Sequence, residues 1–183
     1  GVGVLRSFGP RYRVGRLLAV TPRVSVGEAV AMGRAGTRRY VRIDGRIDAE
    51  QDFPDEHHRP LVYRRRRVQL RRRAGWRTFD ESLEQVPFQV NEGLDSVAID
   101  GDTLGDGLVV LPRDADGVAA EVPDRVPPGT PPRTPVRLRM EQLSAVEHAT
   151  VLGQPVAAAD GTVRMTAGLG RPLVLTTLEV PEA

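Results

Sequence analysis

The chain has 183 residues, with 24 acidic side chains, 26 basic ones that are all arginine, no cysteine and a formal net charge of +2. That length suits one domain with room for a core. The lack of cysteine excludes disulfides, thiol catalysis, cysteine-bound zinc and iron–sulfur clusters within it, and no run approaches the roughly 18 apolar residues of a membrane helix.

Gly1–Val14 is rich in glycine and arginine, holds no acid and reads as a lead-in. With no initial methionine, no visible signal peptide and an abrupt end in LEVPEA, the chain is expected to be a piece of a longer protein. Leu17–Val20 reads as a short strand. Ser25-Val-Gly-Glu28 has capping-box spacing, which predicts a helix over Val26–Met32 that stops near Gly33 and Gly36. Tyr40–Ile47 follows as a strand, with Val41, Ile43 and Ile47 on one face and Arg42, Asp44 and Arg46 on the other.

Leu61–Leu70 is the next strand, and its middle is all arginine. Arg64–Arg67 and Arg71–Arg73 place seven arginines in ten residues, preceded by the acids Asp44, Asp48, Glu50, Asp52, Asp55 and Glu56. Val62, Val68 and Leu70 share parity with Arg64 and Arg66, so no face can be buried along the whole strand. It must be long and partly solvated, bulged, or covered by acids. Val86–Val90, Val97–Ile99 and Leu108–Leu111 read as short strands between Gly/Asp turns. Val122–Pro135, with six prolines, lacks backbone donors for a central strand and reads as an extended surface loop. Val136–Met140, Thr150–Ala158 and Pro172–Val180 complete seven to nine strands. No internal repeat or heptad is present. The fold class expected is mainly β (β-rich α+β): twisted antiparallel sheets or a partly open barrel with one or two short helices.

In order and spacing, a set of landmarks spread over Thr21–Val180 is similar to a known family. They are Thr21-Pro22, VRIDGRI at Val41–Ile47, Phe53-Pro54, PLVYRRRRV at Pro60–Val68, the lone Trp76 and VPFQV at Val86–Val90. DGLVVLP at Asp106–Pro112, RLRMEQL at Arg137–Leu143 and EHATVLGQPV at Glu147–Val156 continue the series. The chain resembles the GIDE-type, or beside-a-membrane, domain of mitochondrial ubiquitin ligases and their prokaryotic relatives. The resemblance implies a β-rich domain held between two membrane helices, with residues 1–20 a membrane-proximal lead-in and 21–183 the domain. It implies a place at the cell membrane, outside the bilayer, on a side left open. In the eukaryotic ligases a separate cysteine-rich RING recruits the ubiquitin-charged partner; this chain, without cysteine, carries no RING. The family supplies no catalytic residues, and none is assigned here.

Asp52, Asp55, Glu56, His57 and His58 crowd potential metal ligands together, but neighbouring histidines on a loop seldom converge, and a solvated acidic loop offsetting the arginines is favoured. Asp100–Gly107 imitates a calcium loop but has Leu104 and Leu111 where the fifth and twelfth ligands belong, so turn chemistry accounts for it. No serine sits in a nucleophile elbow and no phosphate loop is present. Trp76 and Phe88 are expected as core anchors. No enzyme activity, cofactor or metal is expected.

The arginine run keeps three readings: a charge-blunted edge strand paired with nearby acids, a contact for anionic lipid or an acidic protein, or a nucleic-acid surface. Tyr63 and Trp76 are the only nearby rings for the last. The expectation is a non-catalytic, membrane-proximal binding or sensing module that acts through Arg64, Arg65, Arg66, Arg67, Arg71, Arg72 and Arg73. Its partners would be the membrane surface, a neighbouring membrane protein or an acidic protein. A ubiquitin-ligase scaffold whose RING lies elsewhere, and a nucleic-acid-binding β-barrel, are the alternatives.

Overall fold

In the computed structural model, residues 13–179 are described. Two helices and twelve strands make it a β-rich α+β protein, as its composition and alternation imply. Most of Gly1–Val14 lies outside the described residues.

Residues 13–20 are helical (α1), not the strand expected over Leu17–Val20. An apolar run this short fits either state, and neighbours decide. Here Val14, Leu17 and Leu18, at helical spacing, pack on Tyr40, Leu152 and Val174. Helix α2 spans Val26–Arg34 with its predicted capping box: Ser25 Oγ accepts from Glu28 N–H at 3.0 Å, and the Glu28 carboxylate accepts from Ser25 N–H at 2.7 Å.

Five strands close a barrel: β1 (Val41–Asp48), β5 (Gln89–Glu92), β6 (Asp95–Ile99), β10 (His148–Ala157) and β11 (Val163–Thr166). The order around it is β1-β5-β6-β11-β10-β1, antiparallel except for β6 beside β11. Counting only barrel strands, that is first, second, third, fifth, fourth, which matches the connectivity of OB-type Greek-key barrels. Val41, Ile43 and Ile47 point inward with Val90, Val97, Val151 and Met165. The buried face of α2 (Val26, Ala29, Gly33) packs against all five strands and plugs one end. Gly33 is needed there because a β-carbon on it would meet Val163 Cγ1 at 2.4 Å. Beside β10, β12 (Val174–Thr176) and then β7 (Leu108–Val109) extend the sheet.

The second sheet is built from two insertions into that barrel. One carries β2 (Phe53–Pro54), β3 (Pro60–Arg72) and β4 (Gly75–Gln85); the other carries β8 (Arg113–Val118) and β9 (Pro135–Ser144). They pair in the order β4-β3-β9-β8, with β2 beside the start of β3. Strand β3 solves its parity conflict by all three devices open to it. It is 13 residues long. It is bulged against β9 between Leu61 and Tyr63 and against β4 at Val68/Gln69. It is also flanked by the carboxylates of Glu84 and Glu141. Its first residues belong to the barrel core, so the sheet leaves the barrel as an arm; from Tyr63 to Arg72 at strand rise is about 30 Å.

Several boundaries differ from expectation. β2, β4, β8 and β11 lie outside the strands expected from sequence, and the expected Val86–Val90 strand begins only at Gln89. The proline-rich stretch is less a free loop than a cover. Short 3-10 turns at Ala119–Glu121 and Pro123–Arg125 lay Ala119, Val122 and Val126 over Val68, Leu70 and Val136. This second apolar cluster covers the part of the arm's other face that carries Val68 and Leu70.

Candidate functional site

Directly paired residues of antiparallel strands share a face, so the register defines the arm's charged side. Arg65 lies opposite Glu141, Arg67 opposite Arg139 and Gln69 opposite Arg137. On the next strand Asp114 lies opposite Arg139 and Asp116 opposite Arg137. The outcome is a neutralising lattice. Glu141 accepts from Arg65 Nε at 2.9 Å and from Arg67 Nη2 at 2.8 Å. Arg65 also donates to the Gly105 carbonyl at 2.8 Å. Asp114 holds Arg139 through two contacts of 2.9 and 2.8 Å, and Asp116 holds Arg137 at 2.8 Å. On the opposite face Arg64 pairs with Glu84 and lies over the Phe53 ring at 5.1 Å.

Of the seven arginines nominated from sequence, Arg64, Arg65 and Arg67 are therefore committed inside the sheet. Arg65 is only 5% exposed. Arg66 is half-buried opposite Met140 and Ser82. Arg71, Arg72 and Arg73 are exposed at the end of the β3–β4 hairpin, joined there by Arg77, which sequence reasoning passed over. Among the described residues, no carboxylate lies within 4.0 Å of Arg71, Arg72, Arg73 or Arg77. The tip turns through Arg73-Ala74 and closes at Gly75, whose φ of +115° suits glycine.

Aromatic rings serve this tip. Trp76 is not a core anchor: it is half-buried on the charged face, with Arg137 4.4 Å and Arg71 5.7 Å from its centroid. Arg72 and Arg77 lie over Phe79 at 5.1 and 5.8 Å. Such stacking holds guanidinium groups in place without neutralising them. Phe88 is a core residue, and Tyr63, 1% exposed, is core too and offers no stacking surface.

The remaining constellations settle into local roles. Asp55 is buried, not solvated; it accepts from Arg59 Nε at 2.9 Å and from the N–H groups of His57 and Arg59 at 2.8 Å. Among the described residues no group of three acids or histidines is arranged to hold a metal ion. Asp100 accepts from Thr166 and Asp102 from Gln85, so that loop's carboxylates tie it to neighbouring strands. On the outer faces of β5 and β6 stand Gln89, Asn91, Ser96 and Ala98, two of them bonded to Asp48.

These pairs make acid sensitivity predictable. Hydrogen bonds from Arg59 hold the Asp55 carboxyl well below the usual range, those from Arg139 lower Asp114, and those from Arg137 lower Asp116. Depressed carboxylates bind protons more weakly folded than unfolded, so their contribution is complete above their unfolded pKa, about 4, and is lost as pH falls through the folded values. Urea midpoints are expected to hold from pH 7 to about 4 and drop below it. Asp55→Asn is expected to flatten that acid limb; an unchanged slope would remove Asp55 from the account.

Protein-family profiles, curated proteins and solved structures were all compared with this chain, and none matches it.

Proposed function

We propose that this chain is a non-catalytic contact module: a plugged barrel as rigid base, and an arm whose cationic tip meets an acidic surface. The observation that carries the reading is the segregation along the β3–β4 hairpin. Arg64, Arg65 and Arg67 are consumed by Glu84 and Glu141, whereas Arg71, Arg72, Arg73 and Arg77 have no acid beside them among the described residues. A charge placed only to blunt a sheet edge would not require four arginines about one hairpin turn.

A position beside a membrane, outside the bilayer, completes the proposal. It rests on the sequence resemblance to GIDE-type domains. Helix α1 and strand β12, near the two ends of the described chain, pack in one cluster through Leu17, Leu18 and Val174, which suits a module tethered where both ends leave together. The partner would be the membrane surface or an acidic protein. A reading frame without apolar segments on both sides of this piece would overturn the tether.

The nucleic-acid alternative gains little support. OB-type barrels commonly take oligonucleotides across their second and third strands, but here that face presents Gln89, Asn91, Ser96 and Ala98 and offers no ring to stack on.

The test is retention on a sulfated-polymer column. The 183-residue chain is expected to require clearly more salt for elution than a variant with Arg71, Arg72 and Arg73 all changed to serine. Arg139→Gln, whose charge is already matched by Asp114, is expected to change retention little. Equal losses in both variants would mean that the tip has no special part.

A further inference from the structure

We infer that the acidic surface met by the β3–β4 tip is an anionic phospholipid bilayer, touched end-on, with Trp76 at head-group level. The inference rests on the contact-module reading and names its partner. Four features carry it.

The tip is convex. It is a two-residue turn at the end of a strand pair about 30 Å beyond Tyr63, and a projection of this shape suits a broad surface better than a groove does. Its sequence from Gln69 to Phe79 is QLRRRAGWRTF, four arginines and no acid, so nothing within it repels phosphate. Guanidinium groups fork onto phosphate oxygens and are weakly hydrated, which lowers the penalty of bringing them to a head-group layer. The rings lie among them: Trp76 beside Arg71 and Arg137, Phe79 beside Arg72 and Arg77. A tryptophan next to cations is the combination that settles at a membrane interface. The same stacking disfavours nucleic acid, because guanidinium groups already lie over both rings where a base would stack.

Trp76 is the sole tryptophan of the chain, so its fluorescence reports the tip alone. The experiment titrates the 183-residue chain with vesicles of phosphatidylcholine and with vesicles carrying three-tenths phosphatidylglycerol, following emission and co-sedimentation together. The expected result is a blue shift and pelleting with the anionic vesicles only, both reversed by high salt. Each tip arginine near anionic lipid is expected to strengthen partitioning about fivefold, so Arg71→Ser, Arg72→Ser and Arg73→Ser together weaken it about a hundredfold. Arg139→Gln leaves it unchanged. The three tip arginines are exposed and Arg139 is half-buried, and circular dichroism confirms that each variant is folded.

Pelleting without a change in Trp76 emission would overturn the inference by placing the contact on another face. Tip-dependent retention on the sulfated polymer without vesicle binding would sink the lipid and keep the contact module with an acidic protein as partner. Emission changes on adding a single-stranded oligonucleotide, with none on vesicles, would replace lipid by nucleic acid. Failure with polymer and vesicles alike would end both readings.

Discussion

Replacing Glu141 with alanine is expected to destabilise the fold by about 3–5 kcal/mol, the range for removing one partner of a buried ion pair. Glu141 is 8% exposed and is the shared acceptor of Arg65 and Arg67, which stand two residues apart on the same face of β3. Without it, Arg65 keeps only the Gly105 carbonyl and the exposed Asp106 carboxylate, 3.8 Å away. Arg67, whose Nε already has no hydrogen-bond partner, would lose its carboxylate altogether. Glu141→Gln retains an acceptor without the charge and is expected to fall between wild type and alanine. Changing Arg65 and Arg67 to methionine together with Glu141 to leucine removes the carboxylate and both of its counter-charges at once, and should be milder than Glu141→Ala alone. Urea unfolding of the four proteins checks the order. A loss below about 1 kcal/mol for Glu141→Ala would mean that water reaches the pair and that the lattice is not a structural element.

Gly107→Ala is expected to cost about 3 kcal/mol, at the upper end of overpacking, or to prevent folding. A β-carbon at Gly107 would lie 1.7 Å from the Leu173 carbonyl oxygen and 2.9 Å from its carbon. Both are backbone atoms, so no rotamer change relieves the clash. The neighbouring segments, β7 and β12, would have to separate, withdrawing Leu108 and Leu175 from the barrel core. Gly101→Ala is the control. Its added carbon meets the end of the flexible Gln85 side chain, and the thermal midpoint should move less. Equal shifts would show that the Gly107 approach is looser than its geometry.

How far the residues announce this architecture differs element by element. The α2 cap was legible because Ser25 and Glu28 bond to each other's backbone within one turn. β1 was legible because Val41, Ile43 and Ile47 alternate with polar residues against a single core. β4 was not, since as an edge strand of the arm it buries no residue fully, and Glu81, Leu83 and Glu84 carry no period a core would impose. α1 was misread because four apolar residues suit a strand until Tyr40, Leu152 and Val174 supply a surface for a helix. Trp76 was misjudged for a related reason: scarcity of aromatics argues for burial, while its actual neighbours are guanidinium groups.

By itself, then, the sequence determined a cysteine-free, β-rich domain, a capped short helix and a dense arginine tract on a strand, because alternation, capping and composition act over a few residues. Only the tertiary structure decided which arginines are silent. Arg65 meets a carboxylate 76 positions away, Arg67 meets the same one, and Arg71–Arg73 and Arg77 are carried past the last acid of the sheet. Neutralisation of a charge depends on distance in space, and chain order does not reveal which strands will lie side by side.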